Sequence, residues 1–389
     1  MKERKKIENT IGMFDMLKGV AMIFMVFAHN ASPFPNLIFD KAGAESAFSA
    51  IKFMSYVYDI SILPRILFSL VILPAVAMMP ALLVVGGYGF RKRPVSKSFK
   101  AHFKEMIKPY IITVLATTFC NIFFHYAFFR YLPGALKESL KVFAGLAMGV
   151  SQTVEICGHT IYANGPVWFI LAMFWSLLIF NVIMNYAKEK HIPYIVFAIS
   201  VVGWLISYLK FTPWCLSQGL IGVLYAYMGY RLKKNKFFSR EFTVKDKILA
   251  VTLVFIPNLV FVSFGLITEM ADNIYSLGPV SYIENGLMGI FLLYLFLRMN
   301  SLNGPISDGF RKVGRYSLYF MCVHTVEMIA VPWYKVAEIF GEKQMAGFCV
   351  LFVARVALIL FIVFLITKVN DLTKKLKDSR TEKAAADNA

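Results

Sequence analysis

Residues 13–30 read MFDMLKGVAMIFMVFAHN. One aspartate, one lysine and one histidine interrupt a run that is otherwise apolar and, with its flanks, long enough to cross the ~30 Å hydrocarbon layer of a bilayer. Asp15 lies three residues before Lys18, and His29 lies eleven after it. Eleven residues are almost three turns at 3.6 residues per turn, so the three polar groups share one helix face. Lipid cannot solvate that face, so it points into a bundle of helices. The lysine-to-histidine stretch runs about 16 Å along the axis, from the inner boundary towards the outer half. A plainer reading competes: Asp15 and Lys18 snorkel at the boundary and His29 closes the far end. Spacing alone leaves both open.

Working outward, the rest of the 389-residue chain has the same character. Apolar residues make up 58%, charged residues 16%, and Phe alone supplies 37. Ordinary soluble domains carry about 25% charge. With a mean hydropathy of +0.62, the chain cannot cover itself with polar groups in water. The expectation is an all-α polytopic membrane protein with about ten transmembrane helices, near 11–30, 62–89, 109–129, 166–186, 193–209, 213–231, 247–268, 281–299, 315–334 and 347–369. The second run holds Pro64, Pro74 and Pro80 and is expected to bend or to enter in two pieces. The stretch 140–150 is too short to span and reads as interfacial or re-entrant. The five cysteines (Cys120, Cys157, Cys215, Cys322, Cys349) show no CxxC or metal spacing, so no disulfide framework and no metal site are expected.

The net charge of +18 fits membrane orientation better than nucleic-acid binding, because the basic residues cluster in short segments between apolar runs. With the N-terminus in the cytoplasm, 30 of the 41 basic residues fall inside and nine outside. Both termini are therefore expected in the cytoplasm. Three regions follow: a basic N-terminus over 1–10, a membrane domain over 11–369, and a polar, mobile cytoplasmic tail over 370–389. A cleaved signal peptide is disfavoured by Asp15 and Lys18 within the apolar region. The longer outer loops are read as 31–61 and 130–165.

Two further constellations carry chemistry. His324 and Glu327 are three residues apart on the ninth span. Glu327 and Arg355, reached from opposite sides, come to about the same depth, which predicts a buried ion pair. That pair can fix packing or serve the chemistry, and His324 can be an interhelical hydrogen bonder or a functional group. On the cytoplasmic side, Gly86, Gly87 and Gly89 precede Arg91, Lys92, Arg93, Lys97, Lys100, Lys104 and Lys108. The last four lysines recur every three or four residues, so a helix gathers them on one face. They suit anionic lipid or a polyphosphate ligand. Asn164, Gly165, Pro166 and Trp168 start the fourth span, mostly as an anchor.

Together these residues resemble the membrane-bound acyltransferase 3 family, with Lys18 placing the chain near the subset like fucose 4-O-acetylases. The motifs are Asp15, Leu17, Lys18, Gly19 and His29; Gly86 to Phe90 followed by Lys104, Lys108, Pro109 and Tyr110; Pro166, Trp168 and Phe169; and Ser317, Leu318, Tyr319 and His324. Lys18 stands where arginine is commoner, which removes bidentate contacts. Gly87 stands where serine is usual.

The resemblance implies O-acetyl transfer from cytoplasmic acetyl-CoA, or another acyl-CoA, to a hydroxyl of an extracytoplasmic or lipid-linked glycan, as in polysaccharide modification of the cell envelope. It implies His29 as base or nucleophile, with Asp15 and Lys18 organising the inner end and His324 and Glu327 as orienting groups. Arg91, Arg93, Lys104, Lys108 and Tyr110 would hold the coenzyme, and Trp168 and Asn164 the acceptor. No metal and no nucleic acid are called for. The expected surroundings are the plasma membrane, in a bacterium the inner membrane, and a homo-oligomer is compatible with the sequence. An exporter of polysaccharide or lipid-linked sugar is the alternative of another class. An assembly subunit for envelope glycan synthesis is a third reading.

Overall fold

The structure is a computed structural model that describes residues 10–34, 62–209 and 212–386. The basic N-terminus up to residue 9, most of the expected outer loop 31–61, Lys210, Phe211 and the last three residues lie outside the described residues.

Helices dominate. In chain order they are α1 (Thr10–His29), α2 (Ile62–Tyr88), α3 (Val95–His102), α4 (Lys108–Phe129), α5 (Leu132–Met148), α6 (Trp168–Tyr186), α7 (Ile192–Ser207), α8 (Leu216–Lys234), α9 (Val244–Ala250), α10 (Ile256–Ser263), α11 (Pro279–Met299), α12 (Pro305–Arg315), α13 (Ser317–Ala330), α14 (Trp333–Ala337) and α15 (Gln344–Ala386). Two short antiparallel hairpins, Val154–Ile161 and Thr268–Tyr275, are the sheet structure among the described residues.

Eight helical segments are long and apolar enough to cross a membrane: Gly12–His29, Arg65–Tyr88, Val95–Phe129, Gly165–Tyr186, Glu189–Ser207, Val244–Ser263, Pro279–Met299 and Gln344–Lys374. Large apolar side chains face outward on them, among them Phe119, Phe123, Val353 and Phe361. This is a multi-pass membrane protein. The other two expected spans are helices of a different kind. The helix α8 carries buried Ser217, Gln218, Gly219, Gly222 and Gly229 and packs against α2, α6 and α7. Protein surrounds it, so small and polar residues replace a lipid-facing surface. The helix α13 has only 14 residues.

The prolines of α2 do not split it; the helix is continuous with Pro74 and Pro80 inside. Pro80 cannot donate to the carbonyl four residues back. That carbonyl, on Val76, instead accepts from Asn285 Nδ2 of α11 at 3.4 Å. Elsewhere two π-helical turns, Phe103–Ile107 and Val251–Phe255, each end two residues before a proline, Pro109 or Pro257. Widening the helix accommodates the missing N–H and the ring. As a result α3 and α4 form one continuous rod.

The expected loop 130–165 is mostly α5, started by Pro133 and stopped by left-handed Gly149. The polar tail does not break the last helix, whose backbone stays helical to Ala386.

The helix α12 lies against α1. A Cβ on Gly19 would sit 1.9 Å from the Phe310 carbonyl oxygen, and one on Gly314 would sit 1.8 Å from that of Asp15. This crossing fixes how deep α1 sits, and therefore where His29 ends up. Gly87 has the same use: its Cβ would meet the Ala226 carbonyl oxygen at 2.0 Å. It is a helix-packing position in the α2–α8 contact, not part of a ligand cradle.

Candidate active site

The last residue of α1 is His29, and α1 packs against both α13 and α15. His29 Nδ1 lies 3.1 Å from His324 Nε2. The ring centroids are 5.3 Å apart, the separation that a contact of this length leaves between two imidazoles meeting edge to edge. His324 Nδ1 lies 2.6 Å from Glu327 Oε1, one turn along α13. Arg355 of α15 closes the chain: its Nη2 donates to Glu327 Oε1 at 3.0 Å and its Nε to Oε2 at 3.1 Å. Trp333 Nε1 donates to Glu327 Oε2 at 2.6 Å. His324, Glu327 and Arg355 are 0%, 3% and 1% exposed, so the row is sheltered from solvent up to His29, which is half-buried.

This order determines where the protons are. Arg355 and Trp333 only donate, so Glu327 is an acceptor held ionised by the guanidinium. His324 must then carry its proton on Nδ1 and present Nε2 as a lone pair. His29 must carry its proton on Nδ1 to fill that acceptor. The lone pair left over is His29 Nε2. Because Glu327 and Arg355 already cancel, neutral imidazoles keep the buried assembly without net charge.

His29 and Arg355 lie in the wall of a cavity of about 240 Å³, shared with Asn121, His125, Trp333 and Tyr334. Asn121 and His125 come from α4, which packs on α13. Asn121 is held by Ser139, which donates to its Oδ1 at 2.6 Å. Arg355 also reaches the C-terminal end of α1, with Nη1 donating to Asn30 Oδ1 at 3.3 Å. Asn30 in turn donates to the Phe348 carbonyl at 2.8 Å. The end of α1 is thereby tied to α15. An imidazole in a cavity wall, backed by a hydrogen-bonded row, can take a proton from a hydroxyl bound there.

The expected site residues separate into four places. His29, His324 and Glu327 come together with Arg355 as described. Asp15 and Lys18 pair with each other at 2.7 Å near the N-terminal end of α1, where Arg315 Nε also lies 3.5 Å from Asp15. They are fourteen and eleven residues before His29, roughly 21 and 16 Å along the helix, and do not reach the cavity. Arg91, Arg93, Lys104 and Lys108 are exposed, as are Lys97 and Lys100. The loop before them is clamped to α6: the Arg93 carbonyl accepts from Asn181 Nδ2 and Asn185 Nδ2, both at 2.9 Å.

Tyr110, grouped with those cations from sequence, is buried and donates to the Leu146 carbonyl at the end of α5. Its hydroxyl joins α4 to α5. Asn164 and Trp168, grouped with the acceptor, are 0% and 7% exposed and do not line the cavity. The Asn164 backbone N–H donates to Val150 at 2.7 Å, which fixes the turn before α6.

Sequence reading missed Trp333, Asn30, Asn121 and His125. A Trp six residues beyond Glu327, just past the end of α13, could have been noticed as a donor in reach of that carboxylate; the α4 pair carries no local signal. Among the described residues no group of three or more His, Cys, Asp or Glu side chains could hold a metal ion.

Compared with known proteins, residues 11–367 match a family model described as an acyltransferase domain. No curated protein and no solved structure matches the chain.

Proposed function

The chain belongs to this acyltransferase family, and from that premise we propose that it moves an acetyl group from cytoplasmic acetyl-CoA to a hydroxyl of an extracytoplasmic or lipid-linked glycan. The observation that carries the reading is the His29–His324–Glu327 row, whose first member, His29, stands in the wall of a cavity. His29 Nε2 accepts the proton of the acceptor hydroxyl as its oxygen attacks the thioester carbonyl. The new C–O bond forms, the C–S bond breaks, and the coenzyme leaves as a thiolate that takes up a proton. His29 Nδ1 can pass its own proton to His324, whose imidazolium would rest against Glu327. Arg355 and Trp333 hold the carboxylate in place and limit how far the positive charge migrates.

The exposed cations on α3 and α4 suit the phosphates of the donor. Lys104 and Lys108 carry no carboxylate partner among the described residues, and α4 leads from them to Asn121 and His125 at the cavity. From Lys108 to Asn121 is thirteen residues, about 20 Å of helix, a span that an extended thioester arm has to cover. In this proposal both termini are cytoplasmic, α8 and α13 complete ten crossings, and the protein sits in the plasma membrane of the cell that displays the glycan.

The experiment is to incubate the purified protein with labelled acetyl-CoA and a surface-glycan extract. Label is expected in the glycan. Transport of glycan into sealed vesicles with no label transferred would replace this reading with that of an exporter.

A further inference from the structure

A second concavity, about 490 Å³, lies between α1, α12, α13 and α15, away from the cavity at His29. Its walls are apolar: Ile23, Phe310, Val313, Phe320, Leu360 and Phe364. Lys312 and Tyr316 stand at its rim and are exposed. The rim lies on the face that the basic-residue count assigns to the cytoplasm. Asp308, the acid nearest in sequence to Lys312, is engaged by Arg311 at 2.9 Å. Among the described residues Lys312 has no ion-pair partner. The groove floor is also open at Gly309, where an added Cβ would meet nothing within 4 Å.

An apolar slot with an unneutralised ammonium and a phenol at its inner rim complements a molecule with an acyl chain and an anionic head. We propose that the groove binds one anionic phospholipid of the cytoplasmic leaflet, its acyl chain between α1 and α15 and its phosphate on Lys312 and Tyr316. The inner leaflet supplies such lipids, and a basic side chain at its surface favours them. Placement adds a consequence. Ile23 is six residues before His29 and Leu360 is five after Arg355, about 9 Å and 8 Å of helix respectively. The lipid chain fills the space beneath the two helices that carry His29 and Arg355.

The test uses the full chain carrying Phe364→Trp as a reporter in the groove, with quenching by brominated phosphatidylglycerol or brominated phosphatidylcholine measured in detergent and corrected for the parent protein. Phosphatidylglycerol should bind about fivefold more tightly at low salt, the preference expected of one basic residue near a surface, and high salt should shrink the difference. In the reporter background Lys312→Gln should erase the preference. Gly309→Leu, which fills open space and replaces a helical glycine, should abolish quenching above that of the parent. Equal quenching by the two lipids, or a preference that survives Lys312→Gln, would overturn the proposal. So would a polyprenyl phosphate that displaces phosphatidylglycerol at equal concentration, which would assign the groove to a lipid-linked substrate.

Discussion

Replacing Glu327 by glutamine preserves its shape and removes the charge that Arg355 faces. The two are 3.0 Å apart and almost wholly buried. At an effective dielectric of about 20, unit charges at that distance attract by about 5–6 kcal/mol. Most of this is set against the cost of taking both ions out of water, but a variant that removes one partner leaves the other buried and unpaired, at about 3–5 kcal/mol. Glu327→Gln and Arg355→Met should therefore each lower the melting temperature of the detergent-purified protein sharply. The double variant buries no charge and should regain most of the loss, giving a coupling energy of at least about 1 kcal/mol in a double-mutant cycle. Activity should behave differently. Label transfer from acetyl-CoA should be low in Glu327→Gln and in the double variant, because His324 loses the carboxylate that fixes its tautomer. Single variants that melt like the parent, or a double variant with full turnover, would refute the reasoning.

Other outcomes follow from the same geometry. Lys104→Ala with Lys108→Ala should weaken coenzyme binding by roughly two- to tenfold at low salt and less at high salt, as for exposed charges; calorimetry showing unchanged affinity would reassign this face to lipid. Gly19→Val drives a side chain into the Phe310 carbonyl and should cost about 1–3 kcal/mol or more by overpacking, visible as a lower melting temperature. Burial, and after it the charge of Asp272, pushes Glu269 in the hairpin Thr268–Tyr275 up to about 7 from an ordinary 4.5. The folded state therefore holds that proton more tightly than the unfolded chain. Its stabilising contribution is full below the unfolded value and is lost as pH rises through about 7. Melting temperature should fall between about pH 5 and pH 7 and level off above it, and Glu269→Gln should flatten that part of the profile.

Depth was legible in the sequence, and direction around a helix was not. Apolar length located the helices, and counting residues from each boundary brought Glu327 and Arg355 to one level, where they do pair. The same arithmetic could not show that His29 turns to His324, because that depends on how α1 crosses α12 and α13. Tyr110 follows Lys108 by two residues, yet the π turn and the packing on α5 bury it while the lysines stay exposed. Asn164 and Trp168 carry polar and aromatic groups at an outer boundary, which suggested a surface for ligand. Both side chains are buried inside the protein. The prolines of α2 suggested a break, but the compensating donor is Asn285, two hundred residues away in sequence.

The central claim is that the His29 lone pair takes the proton of the attacking alcohol. Single-turnover transfer of labelled acetyl-CoA by His29→Ala, compared with the parent at equal membrane abundance and equal coenzyme affinity, addresses it most directly. Transfer should fall by at least about a hundredfold, the usual worth of a positioned base, with coenzyme binding unchanged. Parental turnover in that variant would contradict it.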